Sequence, residues 1–226
     1  MNTMLELVSG YWWLALLLLP AVGFRQILRC AGVVIIPEDS IGIVNKRFVI
    51  FGRHRTLPDG AIIALRGEAG IQADTLAPGL HFWLWPWQYR VHRAEFVTVP
   101  ENQIGVAEAC DGQPLCDGRV LARRVDCNAF QDARAFLQNG GERGPQITII
   151  PPGTYRINTA LFAVTLEKVL EISENMVGIV TTREGRSLAT GEIAGSEITG
   201  HNMFQDSQAF IDRGGYKGLQ EQVMLA

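Results

Sequence analysis

The sequence predicts an α+β protein: an N-terminal membrane helix followed by two tandem modules of curled β-sheet with short helices. Three observations predict it. An uncharged apolar run opens the chain. Behind it, blocks of sequence recur at a near-constant spacing. Within the blocks, alternating apolar residues are punctuated by Pro-Gly and Gly-Gly pairs. The expected organisation is an anchor over residues 1–32, a first module over 33–115 and a second over 116–226.

The anchor comes first. Leu7 to Phe24 holds 18 residues without a charge. As a helix this run reaches roughly 27 Å, enough for a hydrocarbon core. Tyr11, Trp12 and Trp13 are amphipathic aromatics that prefer the water–lipid boundary. Leu14, Leu16, Leu17, Leu18, Leu19 and Phe24 supply the lipid-facing surface. Pro20 bends or ends a helix, so the run either spans or dips as a re-entrant hairpin. A cleaved signal peptide would need a basic start, and residues 1–10 carry only Glu6. Ala21-Val22-Gly23 nevertheless imitates a cleavage site, and a buried core helix is the third reading. Arg25 and Arg29 follow the run directly. The positive-inside tendency then places one membrane segment at the N-terminus and the main domain in the cytoplasm.

The repeats follow. Pro100-Glu-Asn-Gln-Ile-Gly-Val106 matches Ser173-Glu-Asn-Met-Val-Gly-Ile179 at an offset of 73, and Pro37-Glu-Asp-Ser-Ile-Gly-Ile43 is a weaker third copy. Residues 128–141 (NAFQDARAFLQNGG) and 202–215 (NMFQDSQAFIDRGG) are identical at eight of fourteen positions, at an offset of 74. Ala77-Pro-Gly-Leu-His-Phe82 and Pro151-Pro-Gly-Thr-Tyr-Arg156 recur at the same offset. Physically, Pro-Gly is a turn. Arg90–Val99 and Leu161–Ile172 alternate as half-buried strands. The Glu-Asn/Asp tetrad turns into a strand reading apolar-Gly-apolar, where glycine signals close backbone approach or a bulge. The Phe-Gln-Asp block reads as a short helix of about ten residues, ended by Gly-Gly. Aligning the Gly-Gly pairs sets Ala226 opposite Pro152, which predicts that the chain is the N-terminal piece of a longer protein, or its ordered part.

Composition narrows the function. Net charge is -3 and pI about 5.8, which argues against nucleic acid as a partner. Cys30, Cys110, Cys116 and Cys127 lack the paired spacing of zinc sites, and no histidine neighbours them. Gly112 and Pro114 leave a Cys110–Cys116 disulfide open; free, mostly buried thiols are the other reading. No catalytic or nucleotide-binding motif occurs, and Gly140–Gly144 lacks the lysine of a phosphate cradle. His81, Asp126 and Ser196 are not positioned as a triad by any motif. The chain is expected to be no enzyme and to need no cofactor.

Two surfaces remain as candidates. Trp83, Trp85 and Trp87 alternate, so a strand would place them on one face. They either fill the core or form a tip dipped into the lipid interface, beside Arg90, His92 and Arg93. Arg134, Glu142, Arg143, Asp212 and Arg213 lie in mixed-charge clusters. These are either a solvated surface or contacts between subunits around a ring.

The apolar anchor, Pro37–Phe48, Ala77-Pro-Gly-Leu-His-Phe-Trp-Leu-Trp-Pro86 and the two Phe-Gln-Asp blocks together resemble the SPFH (band 7; stomatin, prohibitin, flotillin) family, in its large bacterial flotillin-like branch. The resemblance covers most of residues 33–226. It implies small α+β modules at the inner membrane. It also implies homo-oligomeric rings or cages that enclose a membrane patch, with lipid and a client membrane protein as partners. The family's long coiled coil is absent, with no heptad run anywhere. The repeat rhythm is also similar to that of vault shell proteins, which would make the chain part of a soluble shell. A third expectation is an accessory regulator of a membrane-embedded protease.

Overall fold

A glycine in the middle of a strand organises each unit of this protein. In the computed structural model, which describes residues 23–24, 26–50, 56–116 and 118–225, Gly42 lies within β2 (Ser40–Lys46). Gly105 holds the same place in β8 (Gln103–Ala109). A Cβ on Gly105 would stand 3.0 Å from Ile150, 3.3 Å from Val164 and 3.4 Å from Val99. Gly42 meets Leu76, Val91 and Ile36 in the same way, and Gly178 meets Met224 and Ile172. The apolar-Gly-apolar pattern is therefore a packing device: neighbouring strands close over a position that has no side chain.

The strands around these glycines repeat in register. In the first unit, β1 (Val34–Ile36) pairs with β5 (Gly79–His81), while β2 lies between β4 (Gly70–Leu76) and β6 (Tyr89–Glu95). In the second, β7 (Val97–Val99) pairs with β10 (Gly153–Tyr155), and β8 lies between β9 (Gly144–Ile150) and β11 (Phe162–Lys168). Gly42 opposes Leu76 and Arg93; Gly105 opposes Ile150 and Leu166. Both units slip register at the same point, between Ile43 and Asn45 and between Val106 and Glu108. A third unit repeats the arrangement in smaller pieces, with β12 (Thr181–Thr182) against β13 (Gly218–Leu219) and Gly178 against Met224. Each central strand is entered through the predicted turn. The N–H groups of Ser40, Gln103 and Met176 donate to the carbonyls of Pro37, Pro100 and Ser173.

A recurrent glutamine satisfies carbonyls at the start of the strand beside each central strand. Gln72 Nε2 donates to Glu68 and Gly70, Gln146 to Glu142 and Gly144, and Gln220 to Tyr216 and Gly218. Each follows the glycine that opens its strand by two positions. Buried amides of this kind are retained because a lost partner leaves carbonyls without hydrogen bonds. Just before each of these strands, a strap runs alongside it in parallel: β3 (Ile63–Ala64) on β4, Ala122 beside Gln146, and Gly195 beside Gln220.

The α+β expectation is corrected: the fold is predominantly β, with 35% of the described residues in strands or β-bridges and 10% in helix. The Phe-Gln-Asp blocks show why. Asn128, Ala129 and Phe130 all have positive φ (52°, 50° and 65°), as do Asn202, Met203 and Phe204 (48°, 50° and 65°). Three consecutive left-handed residues cannot continue a right-handed helix. Helix starts only after the caps Asp132 and Asp206, which accept from Ala135 and Ala209 N–H. It then lasts six residues, Ala133–Gln138 and Ser207–Asp212. Gly140 and Gly214, at φ 79° and 90°, turn the chain out of it.

The expectation of a membrane-spanning helix is corrected as well. Among the described residues, no helix is long and apolar enough to cross a membrane. Residues 26–30 are helical, but Gly32 at φ 75° ends that segment before β1. Of the anchor residues, Tyr11, Trp12, Trp13, Leu14, Leu16, Leu17, Leu18 and Leu19 lie outside the described residues. Phe24 is helical and exposed.

The main core forms where the second unit meets the first. Phe162 packs edge to face on Phe130 and Phe136, with centroids 5.1 and 4.9 Å away. Ile63 and Ala73 of the first unit belong to the same cluster. The helix Ala133–Gln138 rests on β4, and Ser207–Asp212 rests on β9 in turn. Each unit thus covers the strand of the one before it.

Candidate functional site

The aromatic segment between β5 and β6 is a turn, so strand alternation does not govern it. The Trp85 carbonyl accepts from Gln88 and Tyr89 N–H at 2.9 and 2.8 Å. Leu84 N–H donates to Gly32, which ties the turn to the end of the first helical segment. Trp83, at φ 67°, is 75% exposed, and Phe82 and Trp87 are exposed beside it. Trp85 is half-buried, edge-on to Trp83 at 6.2 Å and against Gly32. Phe48 adds a further exposed ring, 5.7 Å from Trp87. The sequence left these residues open between core and interface. The structure turns Trp83 and Trp87 outward and keeps Trp85 as their support.

Next to the turn lies an open cleft of about 690 Å³. Its wall combines Leu28, Val34 and Leu84 with Arg29, His92 and Arg93. Arg93 Nη2 donates to the Ile35 carbonyl at 3.0 Å, which holds the guanidinium at the rim. An apolar wall that also carries the Arg29 and Arg93 guanidinium groups suits an amphiphile with an anionic head. No family model, curated protein or solved structure matches this chain. The resemblance to the SPFH family therefore stands on the quoted residues alone.

The charged candidates divide. Arg134 Nε and Nη2 clasp the Asp74 carboxylate of the first unit, and Nη1 donates to Leu65. The Asp74 carboxylate, bonded to this guanidinium, holds its pKa above the usual arginine range. Glu142 is buried and receives Arg119 Nη1 at 3.0 Å and Arg123 N–H at 2.9 Å. Both residues work within the chain. Arg143, Asp212 and Arg213 are exposed. Asp212 accepts from Gln208, and Arg213 donates to the Thr199 carbonyl.

Sequence reasoning missed two residues that join the units. Asp111 Oδ2 accepts from both Ile62 and Ile63 N–H, each at 2.7 Å. Glu184 Oε2 accepts from Val120 and Leu121 N–H at 2.7 and 2.9 Å. Each acid reaches back to the strap of the preceding unit. The available signal was an acid-glycine pair, Asp111-Gly112 and Glu184-Gly185, recurring at the repeat spacing. The Gly-x-Gln of the bulged strands was a second missed signal.

All four cysteines are free. Cys30, Cys110 and Cys116 are exposed and Cys127 is buried. Burial raises the Cys127 thiol above its ordinary range, a shift opposed by the Phe130 N–H. Among the described residues, no group of three or more His, Cys, Asp or Glu could hold a metal ion.

Proposed function

We propose that this protein is a membrane-surface scaffold. The aromatic turn and basic cleft of its first unit would seat it on lipid, peripherally, at the cytoplasmic face of the inner membrane. Stacked β-units would line up with those of neighbouring copies into rings or cages that enclose a membrane patch or a client membrane protein. The observation that carries the reading is the exposure of Phe82, Trp83 and Trp87 beside Arg29, His92 and Arg93. Tryptophan is favoured at the headgroup level, and each nearby cation adds about 1 kcal/mol of attraction to an anionic leaflet. Lateral contact is supported by β6 and β11, which pair on one side only and leave a row of backbone groups for a neighbour. A lipid-free shell is the second reading, favoured by the end-to-end stacking of the units.

Sedimentation of the full chain with vesicles tests both. Wild type is expected to pellet with phosphatidylglycerol-containing vesicles and less with pure phosphatidylcholine. The Trp83→Ser/Trp87→Ser variant should bind about tenfold more weakly. Electron microscopy of the vesicle-bound protein should show closed rings or cages. Rings without vesicle binding would favour the shell; a monomer that ignores anionic vesicles overturns both.

A further inference from the structure

The two junctions within the chain are built alike, and the third unit carries the receiving half of another. In both junctions an acid stands two residues beyond the central strand, Asp111 after β8 and Glu184 after β12. One carboxylate oxygen takes two consecutive N–H groups of the preceding strap. A short helix then covers the strand beside that strap.

The third unit repeats the strap. Gly195 pairs in parallel with Gln220, as Ala122 pairs with Gln146 and Ala64 with Gln72. Its N–H donates to the Leu219 carbonyl at 2.8 Å, as that of Ala122 donates to Pro145. Ile193 and Ala194 therefore occupy the positions of Ile62–Ile63 and Val120–Leu121. No carboxylate meets their N–H groups, which have no hydrogen-bond partner among the described residues. Ile193 is 85% exposed, against 47% for Ile62 and 42% for Val120, which lie at occupied junctions. Leu219, Val223 and Leu225, along the strand that a helix would cover, are exposed too.

We propose that the third unit is a docking face for a further β-unit of this same construction. That partner places an acid, two residues beyond its central strand, on the Ile193 and Ala194 N–H groups. It lays a short Asp-capped helix over residues 218–224. The first unit of a second copy does not fit, because its residue at the acid's position is Phe48. This inference is independent of the membrane reading, since it rests on the opposite end of the stack.

The test extends the full chain with a second copy of its own residues 153–225, which continues the repeat in phase and brings a copy of Glu184. Amide hydrogen exchange is then read at Ile193 and Ala194. At least about tenfold slower exchange than in the unextended chain is expected, with the appended unit folded. Glu→Ala at the copied Glu184 should remove that protection and leave Leu121 unchanged. The proposal is overturned if the appended unit folds while Ile193 and Ala194 exchange as before. It is equally overturned if the appended unit stays unfolded, because a matching face would support it.

Discussion

The carboxylate of Asp111, in the second unit, accepts the N–H of Ile63, in the first, at 2.7 Å in the buried junction between them. The bond crosses 48 residues of sequence and joins two sheets that share no strand. Stability in such a stack is the sum of unit terms and nearest-neighbour junction terms. The junction residues are therefore the ones whose loss should uncouple the units.

Removing the Asp111 acceptor tests that coupling. Asp111→Ala leaves the Ile62 and Ile63 N–H groups unmet and is expected to cost about 1–3 kcal/mol. Asp111→Asn keeps one oxygen acceptor and should cost less. Chemical denaturation followed by circular dichroism measures both. Equal midpoints for Ala and wild type would show that the junction does not depend on this carboxylate.

The central glycines should resist even one methyl group. In Gly105→Ala the new Cβ presses on Ile150, Val164 and Val99, all held by the sheet. Overpacking of this kind costs about 1–3 kcal/mol. Gly23, helical with open space around it, is the control. Gly23→Ala should be neutral or slightly stabilising, and melting temperatures should separate the two variants.

Phe136 and Phe210 occupy one position in two repeats, and their surroundings differ. Phe136 is fully buried against Phe130 and Phe162. Phe210 meets Phe204 and His201 in the smaller third unit. Phe136→Ala is expected to cost about 3–5 kcal/mol and to disrupt the second unit. Phe210→Ala should cost less and leave the first two units protected in hydrogen exchange. Comparable global unfolding by both would contradict the stacked organisation.

Cys127 gives a pH dependence of known sign. Its folded pKa lies above the unfolded one because burial disfavours the thiolate. Its contribution is complete below the ordinary thiol range. It fades as the pH rises through that range toward the buried thiol's own pKa, since the unfolded chain releases the proton first. Wild type should therefore lose more stability than Cys127→Ala between neutral and alkaline pH. With a thiol reagent at neutral pH, Cys30, Cys110 and Cys116 should react in the folded protein, and Cys127 only on unfolding.

Much of the unit was legible as sequence because its punctuation is local. Pro-Gly, Glu-Asn/Asp and Gly-Gly act through the conformations of a few adjacent residues, so the turns at residues 37–40, 100–103 and 173–176 appear where they were read. Helix length was misread because nothing in Asn-Ala-Phe announces three left-handed residues. That conformation is set against ring packing that folding supplies: Phe130 meets Phe162, 32 positions away, and Phe204 meets His201 and Phe210.

By itself the sequence determined the repeat period, the strand glycines and the turns, since each depends on backbone chemistry within a few residues. Tertiary structure alone decided the dominance of β over α, the outward turn of Trp83 and the engagement of Arg134 and Glu142 within the chain. It alone aligned Asp111 and Glu184 with backbone groups of a preceding unit. The reason is physical: a carboxylate or a ring takes its role from the donors and packing that folding brings to it, and those come from residues tens of positions away.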